Sequence, residues 1–278
     1  VHPTAQHGTQ EPLPHGLAQA IRGTAGDIAT LLRGVDDTSV AVPDSQWTLG
    51  EAAAHLAQAN ELMADVAAGR ERPYGDGTPQ SLAAANAQAL ATFEERRAQP
   101  LASMIQEQAA AFLDAVHRGA SDENAAHPPL VTPLGSMNRH VFASYLLTHM
   151  LGHGYDLARA LKRPHMIDRE RVELCMPFFL SVMPRVADPT AIADLAARYS
   201  IRLRGGPAFG VSLADGAVVV TPTPLKRADC TILLEPVTFL LIALGRRNPW
   251  RAMAQGHILA WGRKPWLAPR FPTLFTAP

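Results

Sequence analysis

The sequence is short of cysteine, of lysine and of long apolar runs, and each shortage removes a class of protein. Its two cysteines, Cys175 and Cys230, lie far apart in apolar surroundings without metal-ligand spacing, so they read as reduced, buried thiols and not as a disulfide scaffold. The most apolar stretch, Pro236 to Leu244, ends in Gly-Arg-Arg and falls well short of the roughly 18 to 20 residues that cross a bilayer. No membrane span is expected. The start, Val-His-Pro-Thr-Ala-Gln, has neither the charged opening nor the apolar centre of a signal peptide, which points to the cytoplasm. Neither sign of charge dominates, because 25 basic and 25 acidic side chains cancel. That balance argues against a nucleic-acid binder, whose affinity comes largely from phosphate neutralisation.

What is present is a core. With 47% apolar residues in 278, the chain has material for about two domains. Charge divides along the chain: residues 1–198 carry 15 basic and 22 acidic groups, and residues 199–278 carry 10 and 3. Opposite net signs favour docking of one part on the other, with the second part closing over the first.

Periodicity divides the chain at a similar place. Residues 1–10 are polar and patternless and read as a disordered tail. Apolar spacing then predicts helices at Leu17 to Leu32, from Trp47 or Thr48 to Gly69, Gln80 to Arg97, Pro100 to Arg118, and Asn138 to Leu161. Thr48 followed by Glu51 is a capping-box pattern. Ser121 to Gly135 contains three prolines and reads as a long loop. Further helices are expected at Asp168 to Val182 and Thr190 to Arg198. Beyond them the texture changes to short strands at Ser200 to Leu203, Gly210 to Leu213, Ala217 to Thr221, Cys230 to Leu234 and His257 to Trp261. Helices at Glu235 to Leu244 and Trp250 to Ala254 lie among these, and a terminal helix or coil at Pro265 to Leu274 follows. The expected fold class is α+β in two domains: an up-down four-helix bundle over residues 11–165, a linking helix over 166–190, and a small α+β domain over 191–278.

Of eleven histidines, only His149 and His153 stand four apart. One helical turn puts both imidazoles on one face, within reach of a single metal ion. The spacing alone is weak evidence among so many histidines, but position adds to it. Phe142, Leu146, His149, His153, Leu157 and Ala160 form one stripe, of the kind a bundle helix turns to its core. The second helix repeats the pattern with Ala52, His55, Ala59, Leu62 and Val66. A lone core histidine is usually a hydrogen-bonded packing residue; three on inward stripes suggest a shared partner, because each buried imidazole without one costs about 1–3 kcal/mol. A divalent metal held by His55, His149 and His153 with a fourth position open would be a catalytic type of site. Asp156 is a candidate for orienting one imidazole, or else a surface charge. At an ordinary imidazole pKa of about 6.5, protons would compete steeply with the metal between about pH 7 and 5.

The string Val42-Pro-Asp-Ser-Gln-Trp47-Thr48-Leu-Gly-Glu51-Ala-Ala-Ala-His55-Leu56, with His149-Met-Leu-Gly-His153-Gly-Tyr-Asp156-Leu-Ala-Arg159, resembles the N-terminal domain of mycothiol-dependent maleylpyruvate isomerases, within the DinB/YfiT-like superfamily of metal-binding bundles. The resemblance covers roughly residues 15 to 165. It implies a DinB-like bundle binding zinc or another divalent ion through the residues matching His55, His149 and His153. The isomerase commonly has Glu where this chain has His149, so the all-histidine set is more like the wider superfamily. The segment from Ala228-Asp-Cys-Thr-Ile-Leu-Leu to Gly256-His-Ile-Leu-Ala-Trp-Gly262 is similar to sterol-carrier-protein-2-like (SCP2-like) domains, small α+β layers with an apolar cavity. What the pair implies is a mycothiol-dependent isomerase or thiol S-transferase. In such enzymes a thiolate adds to a cis double bond, and either elimination gives the trans acid or the adduct is kept.

Neither cysteine has a context for supplying that thiol, so an external low-molecular-weight thiol is expected, acting on a small-molecule electrophile or unsaturated carboxylate. Lysine supplies only 3 of the 25 basic residues and arginine the rest, a bias that fits an actinobacterial source able to make mycothiol. Arg246, Arg247 and Arg263 are candidates for holding a substrate carboxylate, or else solvated surface charges. No catalytic group is assigned, and both monomer and dimer stay open. The competing reading is a carrier of lipid or apolar ligands acting through the C-terminal domain, with the bundle as a docking module.

Overall fold

Helix starts follow the capping chemistry. In the computed structural model, which describes residues 13–121 and 129–276, helix α1 spans His15–Leu32 and α2 spans Leu49–Ala67. The tail expected over residues 1–10 lies outside the described residues. At the start of α2 the Glu51 amide donates to Thr48 Oγ1 at 3.3 Å, and the Thr48 amide donates to the Glu51 carboxylate at 2.8 Å. Two of the amides that a helix N-terminus leaves unpaired are thereby satisfied. Asn138 and Asp168 cap α5 (Arg139–Ala160) and α6 (Arg169–Val182) in the same way, each accepting a backbone N–H at 2.8 Å. Helix α3 covers Leu82–Thr92 after a 3₁₀ turn at Pro79–Ser81, and α4 covers Ala98–Ser121.

Three local expectations change. The third helix stops at Thr92, not Arg97. The Arg96 guanidinium bonds the carbonyls of Leu90 and Phe93 at 2.8 and 2.5 Å, and the Glu95 carboxylate takes the amides of Arg96 and Arg97, so side chains take over the partners that a further turn would use. The expected loop up to Gly135 holds a hairpin in its described part, β1 (Leu130–Thr132) against β2 (Gly135–Met137). Its strands are too short to show a period of two, and Arg185 of the later chain holds it through the carbonyls of Leu134 and Ser136 at 2.8 and 3.1 Å. The helix expected over Thr190 to Arg198 shrinks to α7 at Pro189–Ile192, because Ala197 onward pairs into a sheet. Tertiary pairing overrides local propensity there.

Helices α4 and α5 each pack against both α1 and α2, closing a four-helix arrangement around one core. Helix α6 lies on α5 and also meets the C-terminal part. Pro177 inside α6 leaves its helical ladder open. The Ser144 hydroxyl of α5 fills the gap, donating to the Leu174 carbonyl at 2.6 Å and accepting from the Phe178 amide at 3.3 Å.

The C-terminal part contains β3 (Ala197–Leu203), β4 (Ala208–Ala214), β5 (Ala217–Thr221), β6 (Cys230–Leu234), α8 (Pro236–Ala243), α9 (Pro249–Ala254), β7 (Ile258–Trp261) and a 3₁₀ segment at Pro265–Leu274. The strands form one mixed sheet in the order β5-β4-β3-β6-β7, with β3 and β6 parallel and the other pairs antiparallel. Asp215 and Gly216 join β4 to β5 with φ of 51° and 70°, the left-handed pair that a two-residue hairpin turn requires. Alternation sets the faces: Tyr199, Ile201 and Leu203 are buried while Arg198 and Arg202 are exposed.

Candidate metal centre

Helix α2 delivers His55 and helix α5 delivers His149 and His153 to one point. One nitrogen from each of the three rings lies within 4.8 Å of the others, and the ring centroids are 4.6 to 5.3 Å apart. Nδ1 of His149 and of His153 is buried with no hydrogen-bond partner among the described residues. Burial is the main force on all three. It pulls His55 down to about 3 and His149 well below its ordinary value, helped by mutual repulsion, and it lowers His153 as well. The expected competition by protons between pH 7 and 5 is therefore displaced to more acidic conditions. Three clustered imidazoles held neutral, two of them with an unsatisfied nitrogen, fit a divalent cation, which takes neutral nitrogen ligands of this kind.

Asp156 stands one turn past His153, its Oδ2 3.5 Å from His153 Nδ1, a contact and not a hydrogen bond. Its main partner comes from the C-terminal part: Arg246 Nε and Nη2 reach its two carboxylate oxygens at 3.3 and 2.8 Å, and Nη1 bonds the Leu244 carbonyl at 2.6 Å. Burial raises the Asp156 carboxyl, but the neighbouring His153 and Arg246 outweigh it, so the net shift is downward. The other two candidate arginines are placed elsewhere. Arg247 bonds Thr238 and Gln255, Arg263 pairs with Asp229 at 2.6 Å, and neither lines the cavity at the histidines.

That cavity has a volume of about 600 Å³. The stripe of α2 that reads as core is in fact partly its wall: Ala52 and His55 are buried, whereas Ala59, Leu62 and Val66 are half-buried and line the space. Leu244 and Arg246 enter from beyond α8.

Several lining residues escaped the sequence reading. Trp47 sits 4.8 Å from the His55 ring, and Tyr145 lies edge-on to His149 while stacked on Phe178 at 4.5 Å. Tyr145 precedes His149 by four residues, so the helical stripe could have found it; Phe178 depends on the Ser144 insertion into α6 and left no local signal. The Tyr145 hydroxyl, raised to about 12 by burial, makes no hydrogen bond within the described residues. Both cysteines are free and buried, and burial raises them to about 12 for Cys175 and about 11 for Cys230. Neither is a thiolate near neutral pH.

A second cavity of about 210 Å³ lies between the inner face of the sheet and the surrounding helices, walled by residues such as Phe179, Ile201, Phe239 and Phe271, with no ionisable side chain in its lining. No helix of the described residues is long and apolar enough to cross a membrane.

Residues 181–262 match the SCP-2 sterol transfer family. Among solved structures, a histidine-to-alanine variant of mycothiol-dependent maleylpyruvate isomerase is similar over 89% of this chain and 93% of its own, at 13% identity and a TM-score of 0.51. The unmodified isomerase matches over the same shares at 14% identity and a TM-score of 0.47. A ubiquinone synthesis protein, UbiJ-SCP2, matches over 31% of this chain and 72% of its own, at 15% identity and a TM-score of 0.26. No curated protein matches the sequence. At such identities the likeness establishes a shared fold, a helical region followed by a mixed-sheet domain.

Proposed function

We propose that this chain is a metal-dependent enzyme using a low-molecular-weight thiol, mycothiol, as a cis-trans isomerase or a thiol S-transferase. The observation that carries the reading is the set of three clustered imidazoles, two of them with an unpartnered Nδ1, on the wall of a cavity large enough for a ligand. A divalent cation such as zinc at His55, His149 and His153 would supply the charge that draws a thiol's pKa down from about 8.5 and keeps it as thiolate. The chain's own cysteines stay protonated, so the thiol comes from outside.

The remaining residues position and exclude. Asp156 takes the Arg246 guanidinium in a two-point grip and so fixes a residue of the C-terminal part at the site. Arg246 uses three of its five N–H donors in the observed bonds and keeps two for a substrate oxygen. The aromatic walls at Trp47, Phe142, Tyr145 and Phe178 displace water from the reacting atoms, and the Tyr145 hydroxyl is free to donate to one of them. The setting proposed is the cytoplasm of an actinobacterial cell.

The test is metal content combined with turnover. Purified full-length protein is expected to carry about one divalent ion per chain and to convert a cis-dienoic acid or an electrophile only when mycothiol is added. His149→Ala with His153→Ala is expected to lower metal affinity at least about 100-fold, the upper end of what even an outer hydrogen-bond partner costs. Metal-free protein whose stability is unmoved by chelation would overturn the reading. The second reading, a carrier of apolar ligands, rests on the cavity of about 210 Å³. That is the share of only about seven waters, which suits a short aliphatic chain.

A further inference from the structure

Resting on the thiol-dependent reading of the bundle cavity, we infer that its second substrate is an electrophile with an apolar body and no more than one anionic group, and not a small dicarboxylate. The cavity offers little to a charge. Among the described residues only two arginines line it, Arg72 and Arg246. Arg72 is bound to Asp65, which also holds Arg70, and Asp76 also lines the cavity. Two arginines and two aspartates therefore cancel on that exposed side.

Once a thiolate fills the open position of the metal, Arg246 is the remaining cation. Its fork already grips Asp156, and Nη1 is tied to the Leu244 carbonyl, so the donors left over serve one carboxylate and no more. A second carboxylate on a short substrate would face apolar side chains such as Leu62, Val66 and Phe142 or the uncharged Asn86 amide, where a charge finds no cation to replace its water. The size points the same way. About 600 Å³ is the share of about 20 waters, more room than a small diacid fills, and apolar wall left uncovered contributes nothing to binding. A body that covers Leu62, Val66 and Phe142 gains affinity for every methylene removed from water.

The polar features left in the wall agree with a substrate that carries its charge at one end. The Tyr145 hydroxyl is uncommitted and lies on the histidine side of the cavity. Tyr74, in contrast, donates to Asn86 Oδ1, which leaves the neutral Asn86 amide N–H groups and no charge at that end. Orientation then follows: the reactive carbons and any single carboxylate sit between Arg246, Tyr145 and the histidines, and the apolar body runs along α2 toward Val66.

Binding of saturated, unreactive probes to the full-length zinc-loaded protein, with mycothiol present to fill the metal's open position, tests this without relying on turnover. By isothermal titration, 4-phenylbutyrate is expected to bind at least about tenfold more tightly than adipate, a difference that two or three buried methylenes can supply. Leu62→Lys is expected to erase that preference at unchanged helix content and zinc content. Equal or tighter binding of adipate would overturn the inference. So would a phenylbutyrate preference that survives Leu62→Lys, since the probe would then be seated elsewhere, with the apolar cavity at Phe239 the first place to look. The expected binding order without any mycothiol-dependent turnover would remove the enzymatic reading while leaving the selectivity of the cavity standing.

Discussion

Two hollows among the described residues differ in what their walls leave unsatisfied. The one under the sheet is lined by side chains such as Ile201, Phe239 and Phe271, which need nothing further from their surroundings. The one in the bundle has imidazole nitrogens with no partner, each costing about 1–3 kcal/mol when left so. A fold keeps such a cost only where something offsets it, which is why the proposed function is placed in the bundle cavity.

The sharpest way to separate the two is to damage one and watch the other. Phe239 packs edge-on against Phe179 at 5.3 Å and Phe209 at 6.1 Å, and Phe239→Ala is expected to cost about 3–5 kcal/mol of stability in urea unfolding with the metal content per chain unchanged. Parallel loss of metal would join the two hollows into one cooperative unit. Acid is the next lever. All three imidazoles are held below their ordinary value in the fold, so at acid pH the metal-free folded state binds fewer protons than the unfolded chain. Stability is full above about pH 6.5 and is lost as pH falls from there toward the folded values, by up to about 1.4 kcal/mol per unit for each imidazole. Chelated protein is expected to lose up to about 3 kcal/mol between pH 6.5 and 5.5, and His55→Gln to remove about a third of that slope. A flat profile would break the contrast between the hollows.

Smaller effects probe how the parts are joined. Asp156→Asn leaves Arg246 without its anion and is expected to lower turnover about 10- to 100-fold, chiefly through KM for a carboxylate substrate, while a neutral electrophile is affected less. Equal losses for both substrates would show Asp156 acting through the histidine alone. Thr48→Ala removes the cap of the helix that carries His55 and is expected to cost about 1 kcal/mol, visible in thermal unfolding, with metal affinity altered less than threefold.

The histidine cluster was legible because helical period is a local property. His149 and His153 share a face by spacing alone, and the Thr48 and Glu51 box marks where the helix of His55 begins. Strand positions from Ser200 onward were legible to within a few residues for the same reason, since alternation and Gly-rich turns act over short range. Arg246 was a candidate on charge but no better than Arg247 or Arg263, which the fold sends to Thr238, Gln255 and Asp229. Nothing local distinguishes the three.

What the amino-acid sequence determined by itself was therefore most of the elements, the Thr48 and Glu51 cap, the inward histidines and the division into a helical part and a sheet part, because side-chain period and backbone capping are decided within a turn or two of chain. Only the tertiary structure decided that the stripe from Ala59 to Val66 faces a cavity and not solid core, that the 130–137 segment pairs under the Arg185 guanidinium, and that Arg246 meets Asp156 across 90 residues of sequence. Those outcomes depend on which surfaces are brought together when the two parts pack, and the free energy that selects them is shared among contacts that no single segment contains.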